Sequence, residues 1–168
     1  MKTSAFFAVA LLLMSGCSKD PDGTSTNREF AIYLSIDTLI RGNIDIEAMP
    51  VEEEPFITFD ELVYYDSAKH ILKLSFSVDS IFNYDQNMNL RGFLASIDTS
   101  VIFYGIFYSP VNSAPNPNIV ITLPCDNSSE PNQLEIIEGY PNTDYYKGYQ
   151  SVNDERFIKL LQESNKLR

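Results

Sequence analysis

The stretch FLASIDTSVIFYGIFY, residues 93–108, decides the fold of this chain. Two apolar runs, residues 93–97 and 101–108, flank the polar residues Asp98-Thr99-Ser100, an arrangement that is typical of a β-hairpin. The second run carries apolar or aromatic side chains at both sets of alternating positions, which is expected of a strand buried on both faces. The sequence therefore predicts a hairpin whose second strand lies in the middle of a sheet.

Weaker patterns on either side of the hairpin extend the sheet and add helices. Residues 30–36 and 70–76 alternate apolar and polar side chains, the period of a half-buried strand, and residues 133–138 are a further strand candidate. Thr58-Phe59-Asp60-Glu61 has the spacing of a capping box and predicts a short helix over residues 59–65. Asn153-Asp154 precede an apolar stripe at helical spacing, which predicts a terminal helix.

These elements together indicate the fold class. We expect a single α+β domain over residues 28–168, built on a mostly antiparallel sheet of about five strands. Short helices and the C-terminal helix are expected to pack on this sheet.

The first seventeen residues have the features of a lipoprotein signal peptide. Lys2 gives a positive start, the apolar run after it is too short to span a bilayer, and Leu13-Met14-Ser15-Gly16-Cys17 resembles the lipobox of bacterial lipoproteins. Residues 1–16 are then removed, Cys17 carries palmitate and other acyl chains, and the polar residues 17–27 form a flexible tether. The alternative is an ordinary secretory signal followed by a chance cysteine.

The lipobox also predicts where the protein works. Acyl chains on Cys17 would hold the folded domain at a membrane without a spanning helix. Ser18-Lys19-Asp20 resembles the polar, acidic region behind the cysteine of surface-destined lipoproteins of the Bacteroidetes. This resemblance implies the outer membrane of a bacterial cell envelope.

Charge and ligand spacing exclude several function classes. The chain has 12 basic and 23 acidic residues and a net charge of −11, without a cluster of Lys and Arg that could meet a phosphate backbone. Asp85, Asn87 and Asn89 match the first positions of a calcium loop, but Leu90 and Ser96 stand where that loop needs glycine and a bidentate acid. We therefore expect no nucleic-acid partner, no metal and no cofactor.

Catalysis has no support in the pattern of reactive residues. Cys125 is the only thiol left once Cys17 is acylated, and the only histidine, His70, is far from it in sequence. A half-buried inert thiol and a lone surface or capping histidine are the simpler interpretations. The sequence has no nucleophile elbow, phosphate-binding glycine loop or zinc-binding helix. We expect a non-catalytic protein, and the alternative is an envelope hydrolase or inhibitor that uses the loop over residues 108–113.

Two segments rich in aromatic and amide side chains are candidate binding surfaces. One is the loop that leaves the predicted central strand, and the other follows the last predicted strand. Exposed tyrosines beside amides suit contact with a glycan or with a peptide or protein ligand. The alternative is that the rings only cover the end of the sheet. The candidate binding residues are Tyr108, Ser109, Asn112, Ser113, Tyr140, Tyr145 and Tyr146.

Several short motifs resemble an uncharacterised family of bacterial lipoprotein and secreted α+β domains. They are Ile57-Thr58-Phe59-Asp60-Glu61-Leu62, His70-Ile71-Leu72-Lys73-Leu74, Gly105-Ile106-Phe107-Tyr108-Ser109-Pro110 and Asn153-Asp154-Glu155-Arg156. This family has no assigned activity, so the resemblance implies a fold and a location but no reaction. The order of elements is more distantly similar to the periplasmic domain of the export subunit SecD, a likeness that concerns the fold alone.

Overall fold

The computed structural model of the chain describes residues 29–36, 49–78, 88–109, 111, 113–123, 130–148 and 150–168. Within these residues the chain forms eight strands, one short 3₁₀ helix over Thr143–Tyr145 and one α-helix, α1, over Glu155–Glu163. The strands are β1 Phe30–Leu34, β2 Ile57–Thr58, β3 Leu62–Asp66, β4 Ile71–Leu74, β5 Gly92–Ile97, β6 Ser100–Tyr108, β7 Asn116–Thr122 and β8 Gln133–Tyr140.

All eight strands belong to one curled sheet with the order β2-β1-β5-β6-β7-β8-β4-β3. Neighbouring strands are antiparallel, except that β6 and β7 run parallel. The expectation of an α+β domain with about five strands and several helices is therefore wrong, because strands make up 45% of the structure and helices 11%.

The helix that the sequence predicts over residues 59–65 does not form, because residues 59–61 are a turn and Leu62–Asp66 are strand β3. The Glu61 carboxylate does reach back to Thr58, accepting from its N–H at 2.8 Å and from its hydroxyl at 2.9 Å. These contacts close a turn instead of starting a helix, and the Leu62 N–H donates to the Phe59 carbonyl at 3.3 Å. Lys166 Nζ, from the end of the chain, donates to the carbonyls of Phe59 and Leu62 at 2.6 Å each. A distant lysine thus stabilises carbonyls that a helix would have paired internally.

The hairpin over residues 93–108 is confirmed as β5 and β6, which lie in the middle of the sheet. Ala95 pairs with Phe103 and Ser96 pairs with Val101, so Ile102 is the extra residue of a bulge. Gly105 is required by the close approach of β6 to β7, because a Cβ there would overlap the Ile119 carbonyl oxygen. The predicted strand over residues 30–36 is confirmed as β1.

The main core lies between the inner face of the sheet and α1. Phe157 of α1 is fully buried, and its ring centre lies 4.6 Å from that of Phe30, 5.3 Å from that of Tyr65 and 6.0 Å from that of Phe103. Asp154 caps the helix by accepting from the Arg156 N–H at 2.9 Å. The predicted terminal helix and its cap are confirmed.

Residues after α1 continue onto the outer edge of β3. The Tyr65 N–H donates to the Lys166 carbonyl and the Arg168 N–H donates to the Tyr65 carbonyl, both at 2.8 Å. The Arg168 guanidinium lies 3.8 Å from the centre of the Tyr64 ring. This C-terminal segment pairs with an edge strand that would otherwise present free N–H and C=O groups.

Several predictions lie outside the described residues. They concern the signal peptide over residues 1–16, Cys17, the tether over residues 17–27, Asn112 and Cys125. In the part of the chain that the structure describes, no helix is long and apolar enough to cross a bilayer.

Candidate functional site

The candidate binding residue Tyr108 lies on the outer face of the sheet. Phe107 points into the main core, so Tyr108, the next residue of β6, points to the opposite side. There it packs with Ile106 and Val120, is only 3% exposed, and donates its hydroxyl to the Ala114 carbonyl at 2.5 Å. Burial raises the pKa of the Tyr108 hydroxyl, and the neighbouring Tyr140 raises it further. The ring therefore holds the connection between β6 and β7 against the sheet.

Tyr140 joins Tyr108 because β8 changes its alternation near its end. Ile136 belongs to the main core, and strict alternation would also direct Tyr140 inward. Gly139, between them in sequence, has a φ of 81°, and Tyr140 packs in the outer cluster with its ring centre 4.8 Å from that of Tyr108. A side chain at position 139 would also overlap the backbone of Tyr146. Glycine is therefore needed here for both conformation and space.

The other two candidate tyrosines are placed differently. Tyr145 lies on the 3₁₀ helix and is 41% exposed. Tyr146 packs against the main core, donates its hydroxyl to the Gln150 carbonyl at 2.8 Å and accepts from the Gln150 N–H at 3.2 Å. Burial is the main reason that the pKa of Tyr146 is raised. The tyrosine-rich segment therefore divides between a ring that fixes its own loop and a ring that faces solvent.

The hydroxyl residues of the first loop are also separated. The Ser109 N–H donates to Asn89 Oδ1 at 3.0 Å, which ties the end of β6 to the segment before β5. Ser113 is exposed. The structure thus brings Tyr108, Ser109 and Tyr140 to one region, whereas Tyr146 is not part of it.

His70 is on the other side of the sheet. Its Nε2 lies 3.2 Å from Asn153 Nδ2, and the Oδ1 of the same asparagine accepts from the Tyr65 hydroxyl at 3.0 Å. Burial raises the pKa of Tyr65, and the carboxylates of Glu138 and Asp66 raise it further. Because Tyr65 belongs to the main core and Tyr108 to the outer cluster, His70 and Tyr108 lie on opposite sides of the sheet.

One buried charge was not predicted from the sequence. Arg91 is 8% exposed, forms an ion pair with Glu52 and donates from Nε to the Ser35 carbonyl at 2.9 Å. The Ser35 hydroxyl accepts from the Gly92 N–H at 3.0 Å. This arrangement fixes the segment before β2 to the ends of β1 and β5. No local sequence pattern predicts this ion pair, since Arg91 and Glu52 are far apart in sequence.

A further surface that the sequence did not predict as a binding site lies on the outer face of β1, β5 and β6. Tyr33 pairs with Leu94, and Leu94 pairs with Tyr104, so the three side chains form one row across three strands. All three are partly exposed. We call this row the outer stripe. The signal in the sequence was the alternation itself, which places these residues opposite the core residues Ile32, Phe93 and Phe103.

Among the described residues, no group of three His, Cys, Asp or Glu side chains is arranged to hold a metal ion. Comparison of the chain with protein-family models, curated proteins and solved structures found no match. The resemblance to bacterial lipoprotein domains therefore stays a prediction from the sequence.

Proposed function

We propose that this chain is a lipid-anchored protein of the bacterial cell envelope and that its folded domain is a non-catalytic binding module. The observation that carries the proposal is the lipobox-like sequence Leu13-Met14-Ser15-Gly16-Cys17, with a polar segment between the cysteine and the first strand at Phe30. Ser18-Lys19-Asp20 supports the outer membrane as the location. A tether of this kind would place the sheet within reach of ligands at the membrane surface.

The separation of the reactive side chains supports binding over catalysis. A hydrolase that used the loop over residues 108–113 would need a base beside it. His70 is engaged with Asn153 on the core side of the sheet, and the Tyr108 hydroxyl is engaged with Ala114. Both groups have structural partners that account for their positions.

Acylation of Cys17 can be tested by metabolic labelling with an alkyne analogue of palmitate, followed by membrane fractionation. The wild-type chain should take up the label and sediment with outer-membrane fractions. Cys17→Ala should lose the label and keep the uncleaved signal peptide. Cys125→Ala is the matched control, because it removes the other cysteine and should leave labelling unchanged. Equal labelling of the wild type and Cys17→Ala would refute the anchor.

Binding can be separated from hydrolysis by recovering the ligand. The purified chain is incubated with envelope glycan and peptide fractions, and the retained material is analysed by mass spectrometry. A binding module returns its ligand intact after elution. Release of cleavage products that depends on the chain would favour the hydrolase.

A further inference from the structure

We infer that the outer stripe of Tyr33, Leu94 and Tyr104 is a stacking platform for a neutral, extended β-linked glycan. This inference rests on the proposed binding role and names the class of ligand. It is independent of the tyrosines near the β6–β7 connection, which mainly contact one another and their own loops.

The sheet fixes the spacing of the backbone positions that carry the two tyrosine rings. Tyr33 on β1 and Tyr104 on β6 are both in register with Leu94 on β5, so their Cα atoms are two strand spacings apart, about 10 Å. Alternate sugar rings of an extended β-1,4-linked chain repeat at a similar distance. Aromatic faces bind the C–H faces of pyranose rings, and a leucine between them supplies a flat apolar surface.

Charge favours a neutral ligand. The chain has 35 charged residues among 168, since 12 are basic and 23 are acidic. The outward positions of β1, β5 and the adjoining part of β6 carry none of them. These positions are Ala31, Tyr33, Ser35, Gly92, Leu94, Ser96, Val101, Tyr104 and Ile106. Only Tyr33, Leu94, Val101 and Tyr104 among them are accessible, because the other five are buried. The exposed Arg156 guanidinium donates to the Val101 carbonyl and is already paired with Asp154 at 2.7 Å. The accessible positions themselves therefore carry no charge for an ionic polymer.

The polar parts of the stripe are available for hydrogen bonds. Within the described part of the chain, the hydroxyls of Tyr33 and Tyr104 have no hydrogen-bond partner, in contrast to those of Tyr65, Tyr108 and Tyr146. Such groups beside the aromatic faces can orient the sugar hydroxyls, while the ring faces supply most of the contact.

The test is a pull-down of the purified, full-length chain in detergent on amorphous cellulose, a neutral β-1,4 glucan, with the anionic polymer alginate as the comparison. Wild-type chain should bind cellulose and not alginate. Tyr33→Ala and Tyr104→Ala should each weaken binding by about two- to tenfold, the range expected for one ring contact. The double variant Tyr33→Phe with Tyr104→Phe keeps both ring faces and should retain most of the binding. Tyr64→Ala, a partly exposed tyrosine on β3 at the other end of the sheet, is the matched control.

The inference would be overturned if the wild type did not bind cellulose, if the Tyr33→Ala and Tyr104→Ala variants bound as well as the wild type, or if Tyr64→Ala lost binding equally. Loss of binding in the phenylalanine variant would also contradict it, because the stacking faces are intact there. Circular dichroism of each variant verifies the sheet. The assay does not depend on acylation, so a failure of the anchor at Cys17 would leave its outcome unaffected.

Discussion

Phe157→Ala is the substitution that tests the assembly of the core most directly. The ring is fully buried, and it is the one side chain of α1 that contacts aromatic rings from three strands, Phe30, Tyr65 and Phe103. Truncation of a buried phenylalanine to alanine costs about 3–5 kcal/mol, from lost transfer energy and the cavity left behind. We expect a value in the upper part of this range, because aromatic pairs contribute about 0.5–1.5 kcal/mol beyond the area they bury.

Such a loss is large against a typical total stability of about 5–15 kcal/mol. For a domain of this size, the melting temperature should fall by about 6–20 °C, at about 2–4 °C for each kcal/mol. Urea unfolding followed by circular dichroism gives the free energy, and calorimetry gives the melting temperature.

Lys159→Ala is the control for this prediction. Lys159 lies on the same helix, its side chain is 64% exposed, and within the described residues it forms an ion pair with Glu163 alone, at 3.9 Å. An exposed helix substitution of this kind should change the free energy of unfolding by less than about 0.5 kcal/mol. A change below about 1 kcal/mol in Phe157→Ala would refute the packing of α1 on the sheet.

The remaining predictions concern charge, space and pH. Arg91→Met should lower the free energy of unfolding by about 1–3 kcal/mol in urea titration, because charge-assisted bonds are lost, and Glu52→Gln should cost less since that carboxylate is 45% exposed. Gly105→Ala should cost about 1–3 kcal/mol or more by the same assay, because β6 and β7 must separate to admit a methyl group. Asp154→Asn should keep the helix cap, and its free energy of unfolding should fall less steeply than that of the wild type as the pH is lowered. The hydrogen bonds from Arg156 lower the pKa of Asp154, so its stabilising contribution is complete above the unfolded-state pKa of about 4 and is lost as the pH falls through the lower folded value.

Each of these predictions has a clear contrary result. A larger loss for Glu52→Gln than for Arg91→Met would mean that the arginine is held mainly by the carboxylate. Wild-type stability in Gly105→Ala would contradict the close contact of β6 with β7. If the free energy of unfolding fell equally for the wild type and Asp154→Asn below about pH 4, this carboxylate would contribute nothing to the pH dependence.

The sequence was sufficient where the deciding interactions are local. The hairpin of β5 and β6 follows from alternation and a short polar turn, and α1 follows from a capping residue and an apolar stripe. The turn between β2 and β3 could not be assigned, because the capping-box residues make similar contacts in a turn and in a helix. Lys166 decides between them, and it lies more than a hundred residues away.

The order of the strands in the sheet could not be predicted from the sequence either. Parallel neighbours usually need a crossover of a dozen residues or more, often with a helix, whereas seven residues, 109–115, join β6 to β7. A reader of the sequence would expect antiparallel pairing there. The tyrosines of the candidate site were found by composition, but which face each occupies depends on Gly139, whose positive φ redirects Tyr140.

The strand pairings have a consequence for how the protein folds. β1 lies beside β5, β4 lies beside β8, and residues 166–168 lie beside β3, so three strands have a neighbour that is synthesised much later. Pairing between strands that are far apart in sequence slows folding, so we expect folding in milliseconds to seconds instead of microseconds. A nascent chain that still lacks residues 155–168 does not yet contain Phe157, which packs against Phe30, Tyr65 and Phe103. It also lacks residues 166–168, whose backbone pairs with β3. Folding to completion is therefore expected only after these residues have been synthesised.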